Sequence, residues 1–284
     1  MVKRYPVVAG FFYESRPDRL RKEIERVFLH ELGPRKLPAT STKRKAESLG
    51  FVVPHAGYLY SGPTAAHVYY RLASEGMPEV VVLIGPNHTG LGSAVAIMDE
   101  GSWVTPFGEV EIDSELARAI VRNSEFIDIN YEAHMNEHSL EVQLPFLQYI
   151  FGNGFKIVPI TMLHQVPETA RDVANALIKT LKEVKRDVVI LASSDMTHYE
   201  PQDIAKKKDM MAIEKILNLD PDGLYRVVMR ENISMCGYGA VMALLYYSRE
   251  LGAKKAELLS YTTSGDITGD YSAVVGYAAI RIVK

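Results

Sequence analysis

Cysteine is nearly absent from this chain: Cys236 is the only one in 284 residues. One thiol cannot close an intrachain disulfide, so a reducing cytoplasm is the expected location. No apolar segment approaches the roughly 20 residues that span a bilayer, so no membrane association is expected. The start is basic, but Val7 to Tyr13 is too short and too interrupted for a secretory leader. A surplus of positive charge is also missing. The formal net charge is −3, and the run Lys43-Arg44-Lys45 lies in a polar stretch, which argues against nucleic acid as a partner. There is no phosphate-cradling glycine loop, no H-E-x-x-H, no G-x-S-x-G elbow and no dinucleotide fingerprint. Gly265 to Asp270 is too short for a calcium loop, and no repeat or low-complexity segment occurs.

What is present is an α/β pattern. Strand-like apolar runs occur at Gly50–Val53, Glu79–Ile84, Ala94–Met98, Lys156–Thr161, Asp187–Ala192, Glu257–Tyr261 and Ala273–Ile280. Several are unbroken rather than alternating, as strands buried on both faces are. Helical spacing follows Ser15 and Pro17, and recurs at Thr64–Ala73, Ser114–Val121, Ser139–Tyr149, Glu168–Glu183, Pro201–Leu217, Gly223–Arg230 and Gly239–Leu251. This alternation predicts a largely parallel or mixed sheet covered on both sides. Glu31 to Leu49 reads as a polar loop too near the N-terminus to separate domains, so one domain over 1–284 is expected.

Three histidines follow apolar runs in turn-like settings. His55 comes after Val52-Val53-Pro54 and before Ala56-Gly57; His88 comes after Ile84 and the turn Gly85-Pro86-Asn87. Both would stand at the C-terminal edge of a strand, where open α/β sheets gather ligands, and two imidazoles at neighbouring edges can share one ion. Either alone also fits a loop histidine bonded to a carbonyl. Tyr58 and Tyr60 follow His55 and are placed against the same cavity.

Asp195 and His198 lie three apart after Val188–Ala192, a spacing that lets the carboxylate set the imidazole tautomer for proton transfer. The alternative is an aspartate capping the helix near Pro201. Cys236 precedes an apolar helix, whose N-terminus would lower its pKa and suit it as thiolate ligand or nucleophile. A lone cysteine among apolar residues is more often a small buried hydrophobe, although the neighbouring glycine permits close approach to a ligand. His138, in Glu137-His138-Ser139-Leu140-Glu141, could reach a pocket or merely start a helix, and His134 ranks with it. His30, His67 and His164 read as structural or surface positions.

In order along the chain, Ala9-Gly10-Phe11-Phe12-Tyr13, Pro54-His55-Ala56-Gly57-Tyr58, Gly85-Pro86-Asn87-His88 and Thr105-Pro106-Phe107-Gly108 are joined by Glu137-His138-Ser139-Leu140-Glu141, Leu144-Pro145-Phe146, Ser193-Ser194-Asp195-Met196-Thr197-His198 and Cys236-Gly237. Together these segments resemble the Memo family (mediator of cell motility), similar in fold to the class III extradiol ring-cleaving dioxygenases. The resemblance covers nearly the whole chain and implies a three-layer α/β/α sandwich around a mixed, largely parallel sheet.

It further implies that His55, His88 and Cys236 are metal ligands, with Asp195 and His198 beside them and Tyr60, Phe12 and His138 on the substrate side. In the dioxygenase relatives two histidines and a glutamate hold Fe(II) and a further histidine is the base, a role that falls to His198 here. Cys236 takes the glutamate's place. A thiolate is softer and favours copper or a redox-active iron site, so ring cleavage does not carry over.

The expected function is a metal-dependent redox or dioxygenase-like enzyme using Fe(II) or Cu. The alternatives are a peptide- or small-ligand-binding module in the same cleft, and a metal-free hydrolase with Cys236 as nucleophile. The resemblance also raises radical-SAM and AMMECR-type proteins as pathway partners, and exposed sheet edges suggest a homodimer.

Overall fold

The computed structural model describes residues 2–284. Its strands are β1 (Lys3–Arg4), β2 (Ser48–Val53), β3 (Val80–Pro86), β4 (Val95–Ile97), β5 (Ser102–Thr105), β6 (Gly108–Glu111), β7 (Ile127–Ile129), β8 (Lys156–Met162), β9 (Val188–Ser193), β10 (His198–Glu200), β11 (Lys255–Thr263) and β12 (Val274–Val283). The helices are α1 (Pro17–Leu29), α2 (Tyr58–Glu75), α3 (Ser114–Arg122), α4 (Glu132–Met135), α5 (Leu144–Phe151), α6 (Pro167–Glu183), α7 (Gln202–Leu217), α8 (Pro221–Arg230), α9 (Tyr238–Glu250) and α10 (Ser264–Thr268).

The main sheet runs β10-β12-β2-β9-β3-β8-β4-β7, with β11 bonded to β12. Its centre, β2-β9-β3-β8, is parallel throughout, and β12 and β4 join antiparallel at the flanks. Every residue of β2 and β3 is buried, which explains their unbroken apolar runs: both faces are covered. Helices α1, α2 and α5 pack together, with α2 lying on β2 and β12. Helices α3, α6, α8 and α9 form the other group, with α9 lying on β2, β3 and β9. The result is the expected α/β/α arrangement around a mixed sheet.

Local differences from the sequence reading have identifiable causes. Helix α2 begins at Tyr58 rather than Thr64, because Pro63 is tolerated inside it. Proline there removes only the donor to the carbonyl of Leu59, an exposed residue one turn earlier. The helix expected over 139–149 is split into a 3-10 turn at Glu141–Gln143 and α5, whose second residue is Pro145. Ser48 and Leu49 belong to β2, not to the preceding loop.

A smaller sheet of β1, β5 and β6 brings the N-terminal segment against the 134–141 region. The Arg4 guanidinium, fully buried, donates to the carbonyls of His134 at 3.2 Å and Glu137 at 2.5 Å and pairs with the Glu141 carboxylate. It also lies 4.6 Å from the centre of the Trp103 ring. Glu141 accepts from the amides of Val7 and Val8, at 2.9 and 3.1 Å, and from the Tyr13 hydroxyl at 2.7 Å. This buried pair therefore ties residues 4–13 onto the 137–141 motif. The adjacent His134 ring is buried 5.9 Å from Trp103. Burial, then the Arg4 charge, push its pKa down to about 3.

Removing one member of a buried ion pair strands the other. Arg4→Met is expected to cost about 3–5 kcal/mol in urea unfolding and to speed exchange of the Val7 and Val8 amides. An unchanged unfolding midpoint would contradict this account of the arm.

Candidate functional site

The site is a product of strand endings. Strands β2, β9 and β3 are neighbours in that order, with Val53 beside Ser193 and Ala192 beside Ile84. Two residues past the respective ends stand His55, Asp195 and His88. Paired strands are about 4.8 Å apart, so side chains from these loops fall within reach of one another.

Cys236 is delivered from elsewhere, at the start of α9. Here a glycine is needed: a Cβ on Gly237 would stand 2.2 Å from the Ser193 carbonyl oxygen and 2.8 Å from the Ser194 Cβ. That close approach is fixed by the Gly237 amide donating to Ser194 Oγ at 2.9 Å and by Gln165, which bonds the Cys236 carbonyl at 2.7 Å and the Gly239 amide at 2.8 Å.

The three residues converge. Cys236 Sγ lies 3.2 Å from His55 Nε2, and ligand atoms of His55, His88 and Cys236 all lie within 4.8 Å of one another. Sulfur and nitrogen bound tetrahedrally to one zinc-sized ion would be about 3.6 Å apart, from bond lengths of about 2.3 and 2.1 Å. The donor set thus fits a single first-row ion with small adjustments. The two rings have centroids 5.2 Å apart.

His88 is oriented by a residue whose role sequence reasoning missed. Glu137 Oε1 lies 2.9 Å from His88 Nδ1 and also accepts the Ser139 amide at 2.8 Å, while Oε2 takes the His88 amide. Burial alone would raise the Glu137 pKa, but these donors hold it down to about 2. Burial likewise works to lower His88, and the Glu137 partner more than reverses it, leaving His88 above its ordinary value. A carboxylate on Nδ1 leaves Nε2 for an ion, the usual outer-shell device of histidine ligands. His88, Glu137 and His138 also form a ligand-spaced group. Because three N–H donors already occupy Glu137, that group supports the first site. Glu137 stands in the segment Glu137-His138-Ser139-Leu140-Glu141, but nothing in its spacing ties it to His88, 49 residues away.

His138 stacks on His88 with centroids 4.8 Å apart and meets Phe12 edge-on at 4.9 Å. Burial pushes His55 well below its ordinary pKa, followed by repulsion from His138, His88 and His198. His138 is lowered as well, chiefly by burial. For both rings burial favours the neutral form, the one in which a histidine can ligate.

The thiol departs from expectation. Burial, then the Asp195 carboxylate, push Cys236 well above the usual thiol range, where the start of α9 was expected to lower it. The Asp195 amide nevertheless donates to Sγ at 3.2 Å, a contact suited to thiolate.

Asp195 and His198 do not pair as their spacing suggested. Asp195 Oδ1 accepts the His55 amide at 2.8 Å, and burial raises its own pKa. His198 Nδ1 is instead 2.8 Å from the Ser234 carbonyl oxygen. Backbone between them settles the matter: Met196 and Thr197 bond to Gly276, turning the two side chains to different partners. Tyr58 also leaves the cavity, because its hydroxyl is buried against the Val142 carbonyl at 2.6 Å. Tyr60, one helical position beyond Leu59, lines a groove of about 310 Å³ with Phe11, Phe12 and Leu59. His134 is absent from the ligand-spaced groups among the described residues.

Glu137→Gln tests the electrostatics. Without the carboxylate, burial should dominate and carry the His88 pKa from above to below its ordinary value. The ring would then lose its proton at lower pH than in the wild type. NMR titration of the metal-free protein reads this directly, and an unchanged midpoint would contradict it.

A family profile described as "Memo-like protein" matches residues 4–281. A "MEMO1 family protein" of Sulfolobus acidocaldarius is 51% identical over 280 residues, covering 98% of each chain. One from Ignicoccus hospitalis is 52% identical over 281 residues, covering 99% of each. A crystal structure of an uncharacterized Escherichia coli K12 protein matches with a TM-score of 0.55 at 10% identity, over 81% of this chain and 98% of that one, a likeness of fold alone. With near-complete coverage by both profile and relatives, this chain belongs to the Memo family.

Proposed function

We propose that the chain holds Fe(II) or Cu between His55, His88 and Cys236 and uses the pocket for dioxygenase-like or other redox chemistry. One observation carries this reading: a thiol and two imidazoles from three separate loops bring their ligand atoms within 4.8 Å. When bound, such a metal supplies open coordination positions and a redox couple.

The chain's own residues then divide the work. His55 offers a neutral nitrogen, while His88, whose proton Glu137 favours, and Cys236, a soft donor, must each give up a proton. Metal binding should therefore strengthen as pH rises. His198 Nδ1 faces the Ser234 carbonyl, which can only accept, so Nδ1 carries hydrogen and Nε2 is the basic atom available to a substrate proton. Phe12 and His138 wall the pocket beside His88, and Phe12 also lines the neighbouring groove with Phe11, Leu59 and Tyr60. The raised thiol weighs against a metal-free hydrolase, which needs a thiolate nucleophile.

A second reading, a peptide- or ligand-binding module in the same cleft, draws on exposed aromatics. Phe11 is 88% exposed and Tyr199 78%, the latter at a positive φ of 60° that costs about 1–3 kcal/mol.

Anaerobic reconstitution with Fe(II) or Cu followed by elemental analysis separates the two. We expect stoichiometric metal in the wild type. His55→Ala, His88→Ala and Cys236→Ser should each weaken binding by more than the roughly 10–100-fold that loss of an outer-shell partner costs. Wild-type protein without stoichiometric metal would end the redox reading. A ligand complex that survives all three substitutions would favour the binding module.

A further inference from the structure

We infer that Ser193, backed by Gln143 and the Ser139 carbonyl, is the positioning residue that fixes the His55 tautomer and leaves Nε2 free to face Cys236. A neutral imidazole carries its hydrogen on one nitrogen, and only the bare one can bind an ion. Which nitrogen is bare follows here from counting protons.

His55 Nδ1 lies 2.8 Å from Ser193 Oγ, and a hydroxyl has one hydrogen to give. Two other groups compete for that oxygen. The Ser139 carbonyl oxygen, 2.7 Å away, can only accept, so it must receive the hydroxyl hydrogen. The Gln143 amide nitrogen, 3.0 Å away, can only donate. Its orientation is fixed because the same nitrogen sits 3.0 Å from the Pro54 carbonyl oxygen, while the Gln143 oxygen takes the Tyr69 hydroxyl. With its hydrogen committed to Ser139, Oγ meets the His55 ring as an acceptor. Nδ1 therefore bears the hydrogen and Nε2 is bare.

The opposite tautomer would turn the Ser193 hydrogen toward Nδ1. Two oxygens would then face each other at 2.7 Å with no hydrogen between them. All of these groups are buried, so no water rescues the mismatch. Sequence position explains why the device exists. Ser193 is the last residue of β9 and stands in register beside Val53, two residues before His55.

The consequence for metal rests on the proposed pocket; the tautomer itself does not. Nitrogen NMR of the metal-free wild type should show His55 with Nδ1 protonated and Nε2 bare. Ser193→Ala, which removes the acceptor, should shift the ring toward Nε2–H and weaken Fe(II) or Co(II) binding about 10–100-fold. Ser193→Thr, which keeps the hydroxyl, should restore both.

A wild-type ring protonated on Nε2 would overturn the inference even if no variant folded. So would a Ser193→Ala protein that lost affinity without a change of tautomer, because that is mere structural damage. Wild type with the expected tautomer but no metal would sink the pocket reading and leave this one standing.

Discussion

The parallel register of β2, β9 and β3 is the constraint on which the rest depends. Because Val53 and Ser193 end level with each other, and β3 runs two residues beyond the Ile84–Ala192 pair, the loops open into one small volume. A slip of one residue in any of the three would turn its side chains to the opposite face. The apolar β-branched runs that drive these strands into the core also aim His55, His88 and Asp195. Core formation and site formation are here a single event.

Burial gives the site its electrical character. The enclosure that keeps His55 and His138 neutral also raises the Cys236 thiol and the Asp195 carboxyl. Without an ion, the pocket disfavours charge of either sign. Glu137 and its partner His88 are the exceptions, since backbone and ring donors satisfy the carboxylate and the carboxylate in turn favours the His88 proton. A cation entering such a place inverts the balance, because a positive centre is what the thiol needs to release its proton. The pocket's aversion to isolated charge is thus compatible with high affinity for an ion that brings its own.

The sequence made much of this legible, but unevenly. The runs at Gly50–Val53, Glu79–Ile84, Lys156–Thr161 and Asp187–Ala192 stood out because strands covered on both faces carry no polar alternation. His55 and His88 stood out because each follows such a run across a proline. Strands β1, β5, β6, β7 and β10 escaped notice, being two to four residues long and partly polar. Pro63 concealed the first turn of α2, and Pro145 the break before α5. Glu137, Ser193 and Gln143 were hidden for a deeper reason: what makes such residues matter is who donates to whom, and that is settled by neighbours 49 to 54 residues away. Spacing also misled for Asp195 and His198, where three residues apart meant little outside a helix.

The Arg4–Glu141 pair carries a consequence for how the molecule is made. The partners are 137 residues apart. A ribosome therefore releases the arginine long before the carboxylate that will neutralise it. Until then the leading segment has no place to settle, and Phe12 cannot take up its post against His138. The arm is made 137 residues before its counter-charge, so a chain halted short of Glu141 would carry it undocked.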